Sequence, residues 1–210
     1  SICSFVVFSI QLLYTKIKSL FNKDGEKLTD DEKYAVENNI TLSAISKEYT
    51  EEVGRIASSL GMCAKMHMKI NTGMNRVGFD CRNEKDMKLI ESAYSFEGVS
   101  MTGIFSHFSS SDDLSEGADE YTELQLERFE RVLDHLASKG IDTGIRHMSN
   151  SGAIGKYCAA RFDAVRCGAL MYGYNTAMDA PMDVEPIGTW KAKISCVRTL
   201  EKGDCVSYSR

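Results

Sequence analysis

The chain has 210 residues, and 25 Lys plus Arg against 30 Asp plus Glu leave a formal charge of −5. With 43% hydrophobic and 26% charged residues it has the makeup of a globular protein able to bury a core, and mild acidity without basic clusters argues against nucleic acid as a partner. No apolar run reaches the ~20 residues of a spanning helix, so no membrane segment is expected.

The longest apolar stretch, residues 2–14, contains Ser4, Ser9 and Gln11 and lacks a basic leader, an initiator Met and a small-residue cleavage pattern. It reads neither as a signal peptide nor as a true N-terminus. Seven cysteines at irregular spacing, an odd number with no C-x-x-C pair, fit reduced thiols in the cytoplasm.

Along the chain, short β-branched runs alternate with helical periodicity. A strand is predicted over 41–46. It leads to a helix in which Val53, Ile56, Ala57 and Leu60 share a face and Gly61 supplies the left-handed stop. Cys63 to Ile70 is the next strand, with Met66 and Met68 as packing residues and Met62 grouped with them. A loop at 71–76, a helix near 83–94 and a strand over 99–107 follow. The longest helix is predicted over 119–139, with Leu126, Phe129, Val132, Leu133 and Leu136 as its stripe and Gly140 as its stop. A strand near 144–149, a short helix from Ser151 and a strand near 164–170 complete the series. Periodicity leaves two architectures open, part of a (β/α)8 barrel or a doubly wound sheet. After Pro186 the texture changes. Thr189–Val197 and Asp204–Tyr208 read as antiparallel strands joined by a Glu-Lys-Gly turn.

Chemistry-bearing residues collect where strands end, which is where parallel α/β folds build their sites. In KINTGMNRVGF, Lys69 ends an apolar strand and Arg76 follows as a planar cation suited to a carboxylate. A surface loop with an incidental Arg is the bland alternative. In GIFSHF, His107 ends a strand, where a packed structural His is the commoner case. In RHMSNSGA, Asn150 and Ser151 open a helix, either as an ordinary cap or as an anion site. In FDAVRCGALMYGY, Arg166 precedes Gly168, whose bare backbone could approach a phosphate, and Cys167 reads as a small packing residue. Four histidines show no H-E-x-x-H or close Cys/His set, so no metal site is expected, and G-x-S-x-G and nucleotide glycine loops are absent.

Together, in this order, the four segments resemble the alanine racemase family, whose members use pyridoxal phosphate on a (β/α)8 barrel of fold type III followed by a β domain. KINTGMNRVGF is similar to K-x-D-T-G-M-x-R-x-G-F, GIFSHFSSSD to G-x-x-T-H-F-A-x-A-D, RHMSNSGA to H-x-x-N-S-A-A, and FDAVRCGALMYG to D-x-V-R-P-G-x-x-x-Y-G. The resemblance implies a divergent segment at 1–31, a partial cofactor-binding barrel at 32–181 and the opening of a C-terminal β domain at 186–210. It implies that Arg166 faces the pyridine nitrogen and keeps it unprotonated. Ser151, with the amides of Gly168 and Ala169 and with Asn150 beside them, would hold the phosphate, and His107 would lie against the ring. Arg76 would bind near the substrate carboxylate, and Lys69 would match a lysine carbamylated in many members.

Four departures accompany the resemblance. Asn71 stands where Asp is usual and Cys167 where Pro is usual. Segments like V-K-A-N-A-Y-G-H-G, carrying the cofactor lysine, and I-G-Y-A-D-G, carrying the base tyrosine, do not occur in these 210 residues. The implied function is interconversion of L- and D-alanine for cell-wall peptidoglycan, by a cytoplasmic homodimer of which this chain is a fragment, inactive alone. A serine racemase of the same family and a non-catalytic barrel relic or binding module remain as alternatives.

Overall fold

The computed structural model describes residues 30–180, 182–189, 191–194 and 196–204. Helix α1 (Asp30–Glu37) leads through strand β1 (Leu42–Ala44), helix α2 (Lys47–Ser59), strand β2 (Ala64–Asn71) and the two-residue β3 (Phe79–Asp80) to helix α3 (Glu84–Ala93). Strand β4 (Val99–Phe105), helix α4 (Ala118–Ser138), strand β5 (Ile145–His147) and helix α5 (Ser151–Lys156) follow. Two short 3-10 helices come last, Cys158–Arg161 and Ala169–Tyr172. The strands lie in the order β1-β2-β4-β5, every pair parallel, with β3 beside the end of β2. Parallel neighbours need crossovers, and the helices between strands supply them.

Local chemistry sets the helix ends. Ser46 caps α2 by accepting from Tyr49 N at 3.2 Å, and Gly61 follows it with φ +65°. At α3, Asn83 and Asp86 form a reciprocal capping box. The two-residue alternation of β2 sends Met66, Met68 and Ile70 into one buried cluster with Val53 and Ala57 of α2, Ile90 of α3, and Phe129, Val132 and Leu136 of α4. His67 and Lys69 alternate with them and take the opposite face. Close approach of α2 to the chain entering β4 depends on Gly54, where a Cβ would strike the carbonyl of Glu97.

The structure corrects several sequence readings. Met62 is 41% exposed and does not pack in the core with Met66 and Met68. Helix α1 went unread because only Glu32, Ala35 and Val36 of its eight residues are buried, too few to make a periodic signal. The strand expected at 164–170 is a shorter extended run. Asp163 N donates to Arg146 O and Arg166 N to Ser149 O, both at 3.0 Å, around a parallel bridge between His147 and Ala164. From Gly168 the chain turns into a 3-10 helix because the Ser151 hydroxyl accepts the N–H groups of Gly168 and Leu170 that a strand would give to a neighbour.

The strand expected at 189–197 does not form among its described residues. Ile194 and Val197 are over 80% exposed, and a lone strand pair without a covering core is marginal in water. The predicted turn is present, with Asp204 N donating to Glu201 O at 3.1 Å. Readings for 1–29 and 205–208 lie outside the described residues. No described helix is long and apolar enough to cross a membrane.

Candidate functional site

Register places the site's framework. Lys69 of β2, Phe105 of β4 and His147 of β5 form one row across the sheet, and His67 pairs with Gly103 two residues earlier. The Phe105 and His147 rings stack with centroids 4.9 Å apart, while Lys69 Nζ and Arg166 Cζ stand 5.3 and 5.2 Å from the Phe105 centroid. Gly103 opens the space between. A Cβ there would lie 2.6 to 2.8 Å from three atoms of the His67 ring. Without one, His67 leans across β4 and brings Nδ1 to 2.9 Å from His147 Nε2.

Arg166 is the hub of the cluster. Its Nη1 donates to His147 Nδ1 at 2.6 Å and to His147 O at 3.2 Å. Its Nη2 donates to Ser106 O at 2.7 Å, His107 Nδ1 at 3.0 Å and Met148 O at 3.2 Å. The Nε–H finds no acceptor among the described residues. Because a guanidinium can only donate, His107 and His147 must accept through Nδ1, which puts their protons on Nε2. His147 then donates from Nε2 to His67.

Electrostatics agree with neutral rings. Burial, reinforced by the Arg166 charge, lowers His67 to about 4, His107 to about 3 and His147 to about 2, from an ordinary 6.5. Burial and the charge of Arg76 bring Arg166 itself down to about 10, still a cation near neutral pH.

Lys69 is 4% exposed, and the one hydrogen bond of its side chain among the described residues is from Nζ to Ile70 O at 3.1 Å. Burial first, then the charges of Arg166 and Arg76, hold it well below the ordinary lysine value. The lowering makes this amine easier to deprotonate, and so a better nucleophile, than an exposed lysine.

A second feature stands beside the hub. Ser151 Oγ accepts from Gly168 N at 2.9 Å and Leu170 N at 3.3 Å, and no hydrogen bond from the Ala169 N–H to another described residue is present. Asn150 acts as the helix cap. Its Oδ1 accepts from Ala153 N at 3.0 Å and from Ser111 Oγ at 2.8 Å. Cys167 packs against the small buried cluster of Ile154, Val165 and Leu170, as its small-residue reading anticipates.

The Arg76 loop is shaped by Asn71. Its Oδ1 accepts from Gly73 N and Asn75 N, while Nδ2 donates to Asp80 Oδ1 at 2.7 Å. The amide suits this setting, since a carboxylate at 71 would face that of Asp80. Arg76 is exposed and makes no hydrogen bond to a described residue, yet its charge acts on Lys69, His107 and Arg166.

The structure therefore gathers Lys69, His107, Ser151, Arg166 and Gly168 at the strand ends, with Arg76 at the rim. Sequence reasoning overlooked His67, His147 and Gln125. The alternation that puts His67 on the same face as Lys69, and the glycine opposite it, were the available signals.

Residues 24–176 match a family model described as alanine racemase, N-terminal domain. Alanine racemase 2 of Caldanaerobacter subterraneus subsp. tengcongensis is 36% identical over 178 residues, which is 84% of this chain and 45% of that protein. The alanine racemase of Desulfovibrio desulfuricans is 34% identical over 83% of this chain and 46% of its own length. Among solved structures, alanine racemase of Clostridium difficile 630 in complex with cycloserine is 31% identical with a TM-score of 0.70, covering 78% of this chain and 44% of that one. The chain thus spans about half the length of the curated relatives it matches.

Proposed function

Because the chain belongs to the alanine racemase N-terminal domain family and is part of its (β/α)8 barrel, we propose that it forms the pyridoxal phosphate-holding part of an amino-acid racemase site acting on alanine. The observation that carries this reading is Arg166, a half-buried cation whose other N–H groups are all taken by carbonyl oxygens and ring nitrogens, with Nε–H left over. The residues present fit the cofactor. A donor-only side chain suits an unprotonated pyridine nitrogen, and amides converging on Ser151 beside Gly168 suit a phosphate.

Bound there, pyridoxal phosphate would supply an electron sink for loss of the Cα proton of an amino acid. The chain's own residues do the rest. Arg166 would donate toward the ring nitrogen and, having no proton to give up near neutral pH, would keep that nitrogen unprotonated. This restrains the sink, which suits a reaction that only inverts Cα. The neutral pair His147 and His67 holds Arg166 without neutralising it. His107 would lie beside the ring, Ser151 with Gly168 and Ala169 would bind the phosphate, Asn150 caps the helix that Ser151 opens, and Arg76 would meet the substrate carboxylate. In the whole protein the remaining length would supply the lysine and tyrosine, and the reading includes a cytoplasmic homodimer.

Titrating the 210-residue chain with pyridoxal phosphate, followed by absorbance, tests this directly. Saturable binding is expected, with Ser151→Ala weakening it by about tenfold through one lost charge-assisted hydrogen bond. Pyridoxal without phosphate should be insensitive to that change. The chain alone should produce no D-alanine from L-alanine. Equal affinity for the two ligands would remove the phosphate assignment.

Lys69 is proposed as a carbamate. Its Nζ, once deprotonated, would add to carbon dioxide with release of one further proton, and the new carboxylate would meet the positive field of Arg166 and Arg76. Carbon-13 bicarbonate should give a carbamate resonance that Lys69→Ala abolishes. A signal surviving in that variant would place the modification elsewhere.

A further inference from the structure

Gln125 projects from α4 into the protein, where it is wholly buried. Its Oε1 accepts from Ser109 N and Ser109 Oγ, both at 3.0 Å, and its Nε2 donates to Thr72 Oγ1 and His107 O, both at 3.3 Å. Every hydrogen-bonding capacity of the carboxamide is therefore filled. Turning the amide over would face its NH2 toward the Ser109 N–H, so the orientation is set by its partners.

The bonds continue past Gln125 in one direction. Ser106 Oγ donates to Ile70 O at 2.8 Å, so Thr72 Oγ1 must give its own proton to Ser106 Oγ, 2.8 Å away, while accepting from Gln125. The acceptor at the end, Ile70 O, is the same carbonyl that receives Lys69 Nζ. Ser106 O, on the residue at the turn of this chain, is also an Arg166 acceptor.

We infer that Gln125 is a positioning residue which, from outside the site, fixes the His107 backbone and, through Thr72 and Ser106, the carbonyl that orients Lys69. This rests on the cofactor reading above for its purpose, though not for its geometry. A helix whose job was only to cover the sheet could fill this place with an apolar side chain. The chain instead places a fully satisfied amide where the loops after β2 and β4 converge. Such a network has one low-energy arrangement, and both loops inherit it.

The test uses the full 210-residue chain with nitrogen-15 labelled histidine. In the parent, His107 should show the single Nε2–H tautomer that Arg166 imposes. In Gln125→Met, of similar shape without the hydrogen bonds, the His107 ring nitrogens should move toward the average of two tautomers. His135, on the same helix and bonded to Glu91 at 3.1 Å, should not move. Pyridoxal phosphate affinity should fall by about tenfold, equivalent to loss of one or two hydrogen bonds. Should Gln125→Met fail to fold, Ser109→Ala removes one donor from the exposed side and should shift His107 the same way by less.

An unchanged His107 tautomer in the folded variant overturns the inference. So does a joint shift of His107 and His135, since that is general loosening of α4. If the parent chain binds no pyridoxal phosphate yet His107 loses its tautomer in the variant, the cofactor reading fails and the positioning role stands.

Discussion

Arg166→Leu should unfold about 4 kcal/mol more easily than the parent chain, since it strands several buried acceptors that each cost about 1 to 3 kcal/mol when unpaired. Those acceptors are the carbonyls of Ser106 and Met148 and the Nδ1 atoms of His107 and His147, while the His147 carbonyl, the fifth partner, keeps the Ser106 N–H. Relief of the cation's own desolvation works the other way, but a methyl-tipped side chain gives none of the five partners a donor. Loss of the charge also removes a repulsion that holds Lys69 and the three histidines low, so their titrations should move upward. Urea unfolding gives the first quantity and NMR titration the second. A stability loss below about 1 kcal/mol would show the hub to be replaceable packing.

Acid should destabilise the fold well before its carboxylates titrate. His67, His107 and His147 stand at about 4, 3 and 2 in the folded chain against 6.5 ordinarily. Below 6.5 the unfolded chain takes up a proton at each, while the folded chain takes up none until near 4. Stability is thus fully present above pH 6.5 and is lost as pH falls toward the folded values. Three protons of difference give a slope of about 4 kcal/mol per pH unit near pH 5. Asp119 and Asp163 are lowered below 3.8 by Lys156 and Arg146 respectively, so what they contribute is lost only in stronger acid. Urea midpoints taken between about pH 7.5 and pH 5 should fall steeply, and His67→Asn should reduce the slope by about one proton. Midpoints that stay level across this interval would mean the rings titrate in the fold as they do in the unfolded chain.

Legibility in the sequence followed the physical range of each signal. Helices α2, α3 and α4 announced themselves because each buries a full stripe and ends at a residue that only a cap or a left-handed turn explains, such as Asn83 or Gly61. Strand β2 was legible as an apolar run. Residues 164–170 misled because their β-branched and apolar character is real, while the side chain that diverts them, Ser151, lies far back in the chain. The candidate site was read at Lys69, His107, Ser151 and Arg166 because its polar residues close apolar strands. Its deeper layer was not. His67 acquires meaning only once β5 lies two strands away, and Gln125 looks like any polar position on an amphipathic helix until its four partners are known. Through-space relations of this kind have no local spacing to detect.

Gly103 carries an evolutionary consequence. The ring of His67 occupies the volume that any side chain at 103 would need, so the two positions share one parcel of space. Tolerance to change at either is conditional on the occupant of the other: an alanine at 103 forces an imidazole at 67 to shift, and is accommodated beside a small side chain, which can no longer reach His147. Drift along this strand is therefore gated, and a lineage that fills the gap gives up the contact that steadies the hub.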